Sequence, residues 1–229
     1  MRSQWKTTVG GLLVICIVIL GTTRANASVF TDSLQNGINT SVWAVAGATL
    51  TPTAAGWACA PSGVNFTDSG VLDLLTPITG DFQTQVGFSS LSLPVTDNNI
   101  VIYVVFADGT SAYNQIWNAG GPVDTRLWDG TQYGVTSTSA TSGTLLFSRT
   151  GSTLSAYLNG VLTAQVGGFA ANLTGVGFYL RTQVEGGSPT ATFSNFQLSS
   201  ASAFQVPEPA LSLLLCSPLV LLLRRRRLA

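Results

Sequence analysis

Histidine is absent from all 229 residues, and lysine occurs once, at Lys6. Without histidine there is no Ser-His-Asp or Cys-His nucleophile pair and no imidazole-ligated zinc or iron. Without a lysine beyond residue 6 there is no Schiff-base or phosphate-gripping amine in the body of the chain. Cysteine is nearly as scarce: Cys16 and Cys216 fall in the two ends and leave Cys59 alone between them, so the middle forms no internal disulfide. Close to Trp57 and far from any activating amine, Cys59 reads as a small buried hydrophobe rather than a nucleophile. Charge is thin as well, at 9% of residues against about a quarter in an ordinary soluble domain. Between residues 28 and 206 only Arg126, Arg149 and Arg181 oppose eight aspartates and Glu185. A body of that sign has no basic face for a nucleic acid.

The positive charge that does exist sits at the ends. Residues 1–27 open with Arg2 and Lys6, continue with an apolar run from Val9 to Leu20, and close on Ala25 and Ala27 around Asn26. That is the form of a secretory signal peptide cleaved before Ser28. Its 12 apolar residues fall short of the roughly 20 that a membrane-spanning helix needs. The other end, residues 206–229, reads Val206, Pro207, Glu208, Pro209, then an apolar run over 210–223, then Arg224, Arg225, Arg226 and Arg227. Fourteen residues reach about 21 Å as a helix, and snorkelling arginines or local bilayer thinning make up the difference to a hydrocarbon core of roughly 30 Å. The arginines stay cytoplasmic by the positive-inside rule, so both ends predict one topology with the body outside the inner membrane.

The ordered trio of tripeptide, apolar run and arginine cluster resembles the PEP-CTERM sorting signal of Gram-negative bacteria. The same kind of tail is also called an ice-binding protein C-terminal domain, a label that belongs to the tail and implies no ice activity for the body. The resemblance implies recognition by an exosortase, removal of the tail, and delivery to the cell surface or extracellular matrix of a bacterium that makes exopolysaccharide. Pro218 departs from an uninterrupted apolar helix, which a membrane segment tolerates.

Residues 28–205 show no sustained helical period. Short runs of β-branched and aromatic residues alternate with Gly, Asn, Asp, Ser and Pro, which predicts an all-β domain. The clearest strands are 81–91, 100–107, 144–150, 153–158, 161–166, 175–181 and 190–198. Within the first, Phe82, Thr84, Val86 and Phe88 alternate with Gln83, Gln85, Gly87 and Ser89, as a half-buried strand requires. Asn159-Gly160 predicts a two-residue hairpin, and Asp108-Gly109 and Asp129-Gly130 two further turns. Four stretches in order resemble the concanavalin A-like lectin/glucanase superfamily. They are Phe30 to Trp43, the pair Gly70 to Leu74 and Gly80 to Val86, the hairpin Ser155 to Val161, and the closing strand Phe193 to Leu198. The resemblance implies a two-sheet jelly-roll β-sandwich, completed in this chain by the N-terminal signal peptide and a single C-terminal membrane helix.

Glucanases of that superfamily use an E-x-D-x-x-E strand with two glutamates about 5.5 Å apart. The body has only Glu185, and no pair of aspartates offers strand spacing in its place, so the sequence predicts a non-catalytic body. The stretch Tyr113 to Tyr133 mixes Trp117, Trp128 and Tyr133 with Asn114, Gln115, Asp124, Arg126 and Asp129, the blend of aromatic faces and short polar groups that holds sugars. Trp117, Trp128, Asp129 and Tyr133 are therefore the candidate carbohydrate contacts. Packing of both tryptophans in the inter-sheet core is the competing reading. Asp97, Asn98 and Asn99 are oxygen donors of the kind that suits Ca²⁺, or simply a turn; no other metal or cofactor is expected. The expectation is an exported, exosortase-sorted surface protein whose body binds exopolysaccharide. The alternatives are a structural matrix protein without a specific ligand and a divergent glycoside hydrolase.

Overall fold

The structure is a computed structural model that describes residues 27–47 and 49–207. The expectations for residues 1–26 and 208–229 lie outside the described residues: most of the signal peptide with Ala25, and Glu208, Pro209, the membrane helix and Arg224 to Arg227. Within the described residues there are fifteen strands and no helix. In chain order they begin with β1 (Ser28–Asp32), β2 (Ala44–Ala46), β3 (Thr51–Thr53), β4 (Gly56–Cys59) and β5 (Phe66–Ile78). There follow β6 (Phe82–Ser92), β7 (Asn98–Phe106), β8 (Ser111–Asn118), β9 (Val123–Trp128) and β10 (Gln132–Ser137). The last five are β11 (Gly143–Thr150), β12 (Thr153–Leu158), β13 (Val161–Val166), β14 (Leu173–Thr182) and β15 (Thr190–Ser200).

All pairings are antiparallel and build two sheets. The first runs β13-β12-β11-β6-β15-β4-β3, with β1 also on β15, and the second runs β10-β9-β8-β7-β14-β5-β2. The all-β sandwich expected from the sequence is the fold observed. Period-two alternation explains why the sheets stack. In β6, Phe82, Thr84, Val86 and Phe88 are buried while Gln83 and Gln85 face out. In β7, Ile100, Ile102, Val104 and Phe106 face the other sheet. The hairpin between β12 and β13 turns at Asn159 (φ 53°) and Gly160 (φ 78°), the two positive dihedrals a type I′ turn demands.

Aromatic packing closes one part of the core. Trp43 and Trp57, both fully buried, meet edge to face at 5.5 Å, and Trp43 also meets Phe196 at 4.9 Å. The Trp43 indole N–H donates to Asp32 Oδ2 at 2.9 Å, so the large ring enters the core without stranding its polar atom. Arg149 is buried too, its guanidinium donating to the Gly80 carbonyl from Nε at 2.9 Å and to the Ala171 carbonyl from Nη1, with the rings of Phe82 and Phe106 beside it. It ties the β5–β6 turn to the segment before β14. Cys59 is buried, and burial followed by the charge of Asp68 pushes its thiol pKa up, which keeps it protonated.

The two ends of the body meet. Ser28 pairs with Ser200, and the Phe204 amide donates to Ser28 Oγ at 3.4 Å. Just beyond, the Leu75 amide donates to the Gln205 carbonyl at 2.9 Å, and Val206 packs against the core. The chain therefore stays fastened to the sandwich up to the residue that precedes Pro207.

Candidate functional site

The outward face of the second sheet carries three cross-strand rows set by register. Gly177, Tyr103, Tyr113 and Trp128 align across β14, β7, β8 and β9. Next come Tyr179, Val101, Gln115 and Arg126, and then Arg181, Asn99, Trp117 and Asp124. Every one of these residues lies two positions from the next along its own strand, so the alternation that sends Ile100, Ile116, Leu127 and Phe178 inward sends this set outward. The face is not bare. Val101 is fully buried and Gln115 and Arg126 nearly so, shielded by the aromatic rows on either side. A cleft of about 340 Å³ opens over it, walled by Tyr113, Trp117, Trp128, Tyr179 and Arg181 and floored in part by Asn99 and Gln115.

Several contacts fix the walls. The Arg126 guanidinium lies 3.8 Å from the Trp117 ring centroid and forks onto Asp124, donating from Nε at 2.8 Å and Nη2 at 2.9 Å. That pair is buried, bidentate and internally neutral, and the stacked cation holds one face of the indole. Tyr103 stacks on Tyr113 at 5.8 Å and tilts against Tyr179 at the same distance. Gly177 permits this cluster: a Cβ there would come within 2.4 Å of the Tyr103 ring. Burial, then Tyr113 and Asp73, push the Tyr103 phenol pKa up to about 12. Burial and Tyr113 push Tyr179 up as well, with Arg181 pulling it partly back. Both phenols are neutral hydrogen-bonding groups at ordinary pH.

Two polar atoms of this cleft's residues are buried with no partner in the protein: the Trp117 Nε1–H, a donor, and Asn99 Oδ1, an acceptor. The other half of the Asn99 amide is used, Nδ2 donating to Gln115 Oε1 at 3.2 Å. Unsatisfied buried polar groups cost free energy, and both atoms are closed off beneath the cleft, as are Asn98, Asn114 Oδ1 and Thr125 Oγ1 inside the sandwich.

The structure thus gathers Trp117 and Trp128 into one cleft, on the outer face rather than in the inter-sheet core. It separates them from the other two candidates. Tyr133 pairs with the inward-facing Leu127 and packs on the core, while Asp129, at the β9–β10 turn, borders a different depression with Ser111 and Phe169. Sequence reasoning missed Tyr179 and Arg181 as site residues and placed Asn99 with a calcium site or a turn instead of this cleft. Their signal was present as alternate positions of β14 and β7, but the sequence does not show which strands lie beside β8. The Asp97-Asn98-Asn99 triplet does not converge on one point. Asn98 faces inward, fully buried with neither amide atom partnered, while Asn99 faces outward onto Gln115. Among the described residues no group of three or more Asp, Glu, Cys or His stands close enough to hold a metal.

No family model and no curated protein matches the chain. Solved structures do match it. The Crh5 transglycosylase is 13% identical with a TM-score of 0.56, over 81% of this chain and 87% of that one. The Emp47p carbohydrate recognition domain is 12% identical with a TM-score of 0.56, over 78% and 98%. The Bacillus licheniformis β-glucanase is 10% identical with a TM-score of 0.53, over 75% and 97%. The chain therefore has the jelly-roll fold of concanavalin A-like and galectin-like lectins and of glucanases, and at these identities it is the fold that is shared. The expectation of a non-catalytic body is overturned by the same comparison, because a transglycosylase and a glucanase stand among the structures that share the fold. The missing E-x-D-x-x-E strand removes one carboxylate-pair mechanism and does not exclude enzymes built on this scaffold.

Proposed function

We propose that the outer face of the second sheet is the carbohydrate-binding site of an exported surface protein. The observation that carries the reading is the cleft walled by Trp117, Trp128, Tyr113 and Tyr179 and floored in part by the amide side chains of Asn99 and Gln115. Sugar rings present C–H faces to aromatic planes and hydroxyls to short polar groups, and this cleft supplies both within one outline. The carbohydrate-recognition and glucan-acting neighbours support the same class of ligand. The test is titration of extracellular-polysaccharide fragments into the full chain and into its Trp117→Ala and Trp128→Ala variants. Saturable binding that both variants lose while keeping the wild-type fold supports the site, and binding that ignores both substitutions sinks it.

The two chain ends support the rest of the reading. A signal peptide cut before Ser28 and a PEP-CTERM-like tail from Val206 to Arg227 suit export, a transient anchor in the inner membrane, and release by an exosortase to the surface or matrix. Ser28 and Phe204 touch, so the new N-terminus left by that cleavage lies beside the segment that leads to the tail. Intact mass of the protein recovered from cells and culture fluid checks this: loss of residues 1–27 together with the tail is expected, and a chain that keeps residues 210–229 in the membrane fraction contradicts it.

A further inference from the structure

The body is acidic, with three arginines against nine acidic residues between 28 and 206, and the three arginines are not alike. Arg149 is sunk in the core on backbone carbonyls, and Arg126 is neutralised by Asp124. Arg181 lines the sugar cleft, partly exposed, and among the described residues it forms no salt bridge; it makes a long hydrogen bond, 3.5 Å, to Asn65 Oδ1 and lies beside the neutral Tyr179 phenol. No acidic side chain lines the cleft with it. Asp124 shares its row but is occupied by Arg126 with two strands between them. Asp73, also outward-facing, pairs with Gly175, six residues from Arg181 along β14 and so about 20 Å away. Among the described residues, the acidic body thus places the one arginine without a salt bridge or a core position where the sugar is to lie.

We infer that the ligand of this cleft is an acidic polysaccharide, a polymer containing uronate units, whose carboxylate is taken by Arg181 while the sugar ring lies against Trp117 and Trp128. The inference rests on the reading of the cleft as a sugar site and adds the class of sugar. A guanidinium is a planar fork that fits a carboxylate through two parallel N–H···O bonds, and it works best where water is partly excluded, as beside the buried Tyr179 ring. The short polar side chains of Asn99, Gln115 and Gln183 in the same cleft suit neighbouring hydroxyls of the same unit. General electrostatics cannot produce this preference, because the net negative body repels a polyanion at long range. Attraction has to be local.

The experiment compares a polyuronate oligomer with its carboxyl-reduced form, which has the same length and linkage but no charge. Each is titrated into the full chain in detergent at physiological salt, with thermal unfolding of every variant as the folding control. The uronate is expected to bind about ten-fold or more tightly than the reduced oligomer. Arg181→Gln should lower uronate affinity about ten-fold and affinity for the reduced oligomer by far less, so that the difference between the two closes, and Arg181→Lys should restore part of it. Equal affinity for both oligomers, or a uronate preference that survives Arg181→Gln, overturns the acidic-ligand inference and leaves the sugar site standing. Failure of both oligomers and of neutral glucans to bind the wild-type chain overturns the inference and the sugar site together.

Discussion

The two sheets obey one alternation rule and end with opposite outer faces. Across the first sheet one row reads Val29, Ser199, Gln83, Ser148, Ser155 and Gln165, and the next reads Gln197, Gln85, Leu146, Tyr157 and Leu162: one ring and no charge in the two rows together. Across the second, the corresponding rows hold Tyr103, Tyr113, Trp128, Tyr179, Trp117 and two arginines. A depression exists on the first face too, lined by Thr49, Thr51, Ala58, Ser90, Thr190 and Thr192, yet it offers no aromatic plane and no cation. Inward residues on both sheets are chosen by packing, so they resemble each other. Outward residues are free of that demand, and a set of outward aromatics gathered around one cleft therefore points to a ligand in a way that buried aromatics do not.

The largest expected effect breaks the fold and spares the comparison. Trp43→Ala removes a fully buried ring and leaves Asp32 without its indole partner. It should cost about 3–5 kcal/mol in chemical denaturation, while protein that remains folded keeps its sugar preference. Trp128→Ala should do the reverse. The ring is 38% exposed, so the melting temperature should barely move while glycan affinity falls about ten-fold or more, in line with roughly 1–3 kcal/mol per stacked ring. A Trp128→Ala variant that unfolds would place that ring with the packing residues instead.

Gly177→Ala sharpens the contrast within the second sheet. Its methyl would displace Tyr103 and loosen the tyrosine cluster, for about 1–2 kcal/mol of stability and a several-fold drop in glycan affinity measured on the same sample. On the first sheet, Gln83→Ala or Ser148→Ala should leave affinity unchanged and stability within about 0.5 kcal/mol. Glycan affinity should also be flat between about pH 6 and 9, since the chain has no histidine and burial keeps the Tyr103 and Tyr179 phenols neutral. Stability has a different pH limit. Tyr103 ionises near 12 when folded against about 10 when unfolded, so its contribution is whole below pH 10 and is lost as pH rises towards 12, visible as a falling denaturation midpoint in that window.

How far the sequence exposed this arrangement depends on what each segment packs against. The hairpin of β12 and β13 was readable to the residue, because Leu154, Ala156 and Leu158 alternate cleanly and Asn159-Gly160 marks the turn. The segment 113–128 was readable as chemistry but not as structure. Its inward positions include Asn114, which bonds the Leu146 and Tyr157 carbonyls from inside the sandwich, so polar and apolar residues do not sort by face. Asp129 and Tyr133 were carried away from the two tryptophans by the reversal at the β9–β10 turn, which set Tyr133 opposite the inward Leu127. Tyr179 and Arg181 could not be joined to Trp117 from sequence, since that proximity comes from β14 and β8 both pairing with β7, a long-range choice that local propensity does not record.

The most direct test of the central claim is a crystal structure of the body with a bound glycan oligomer. The account predicts a sugar ring against Trp128 and Trp117, hydroxyls on the polar side chains of the cleft floor, and an acidic group on Arg181. A glycan seated on the Ser/Thr/Gln face of the first sheet, or held by loops with the aromatic cleft empty, would contradict it.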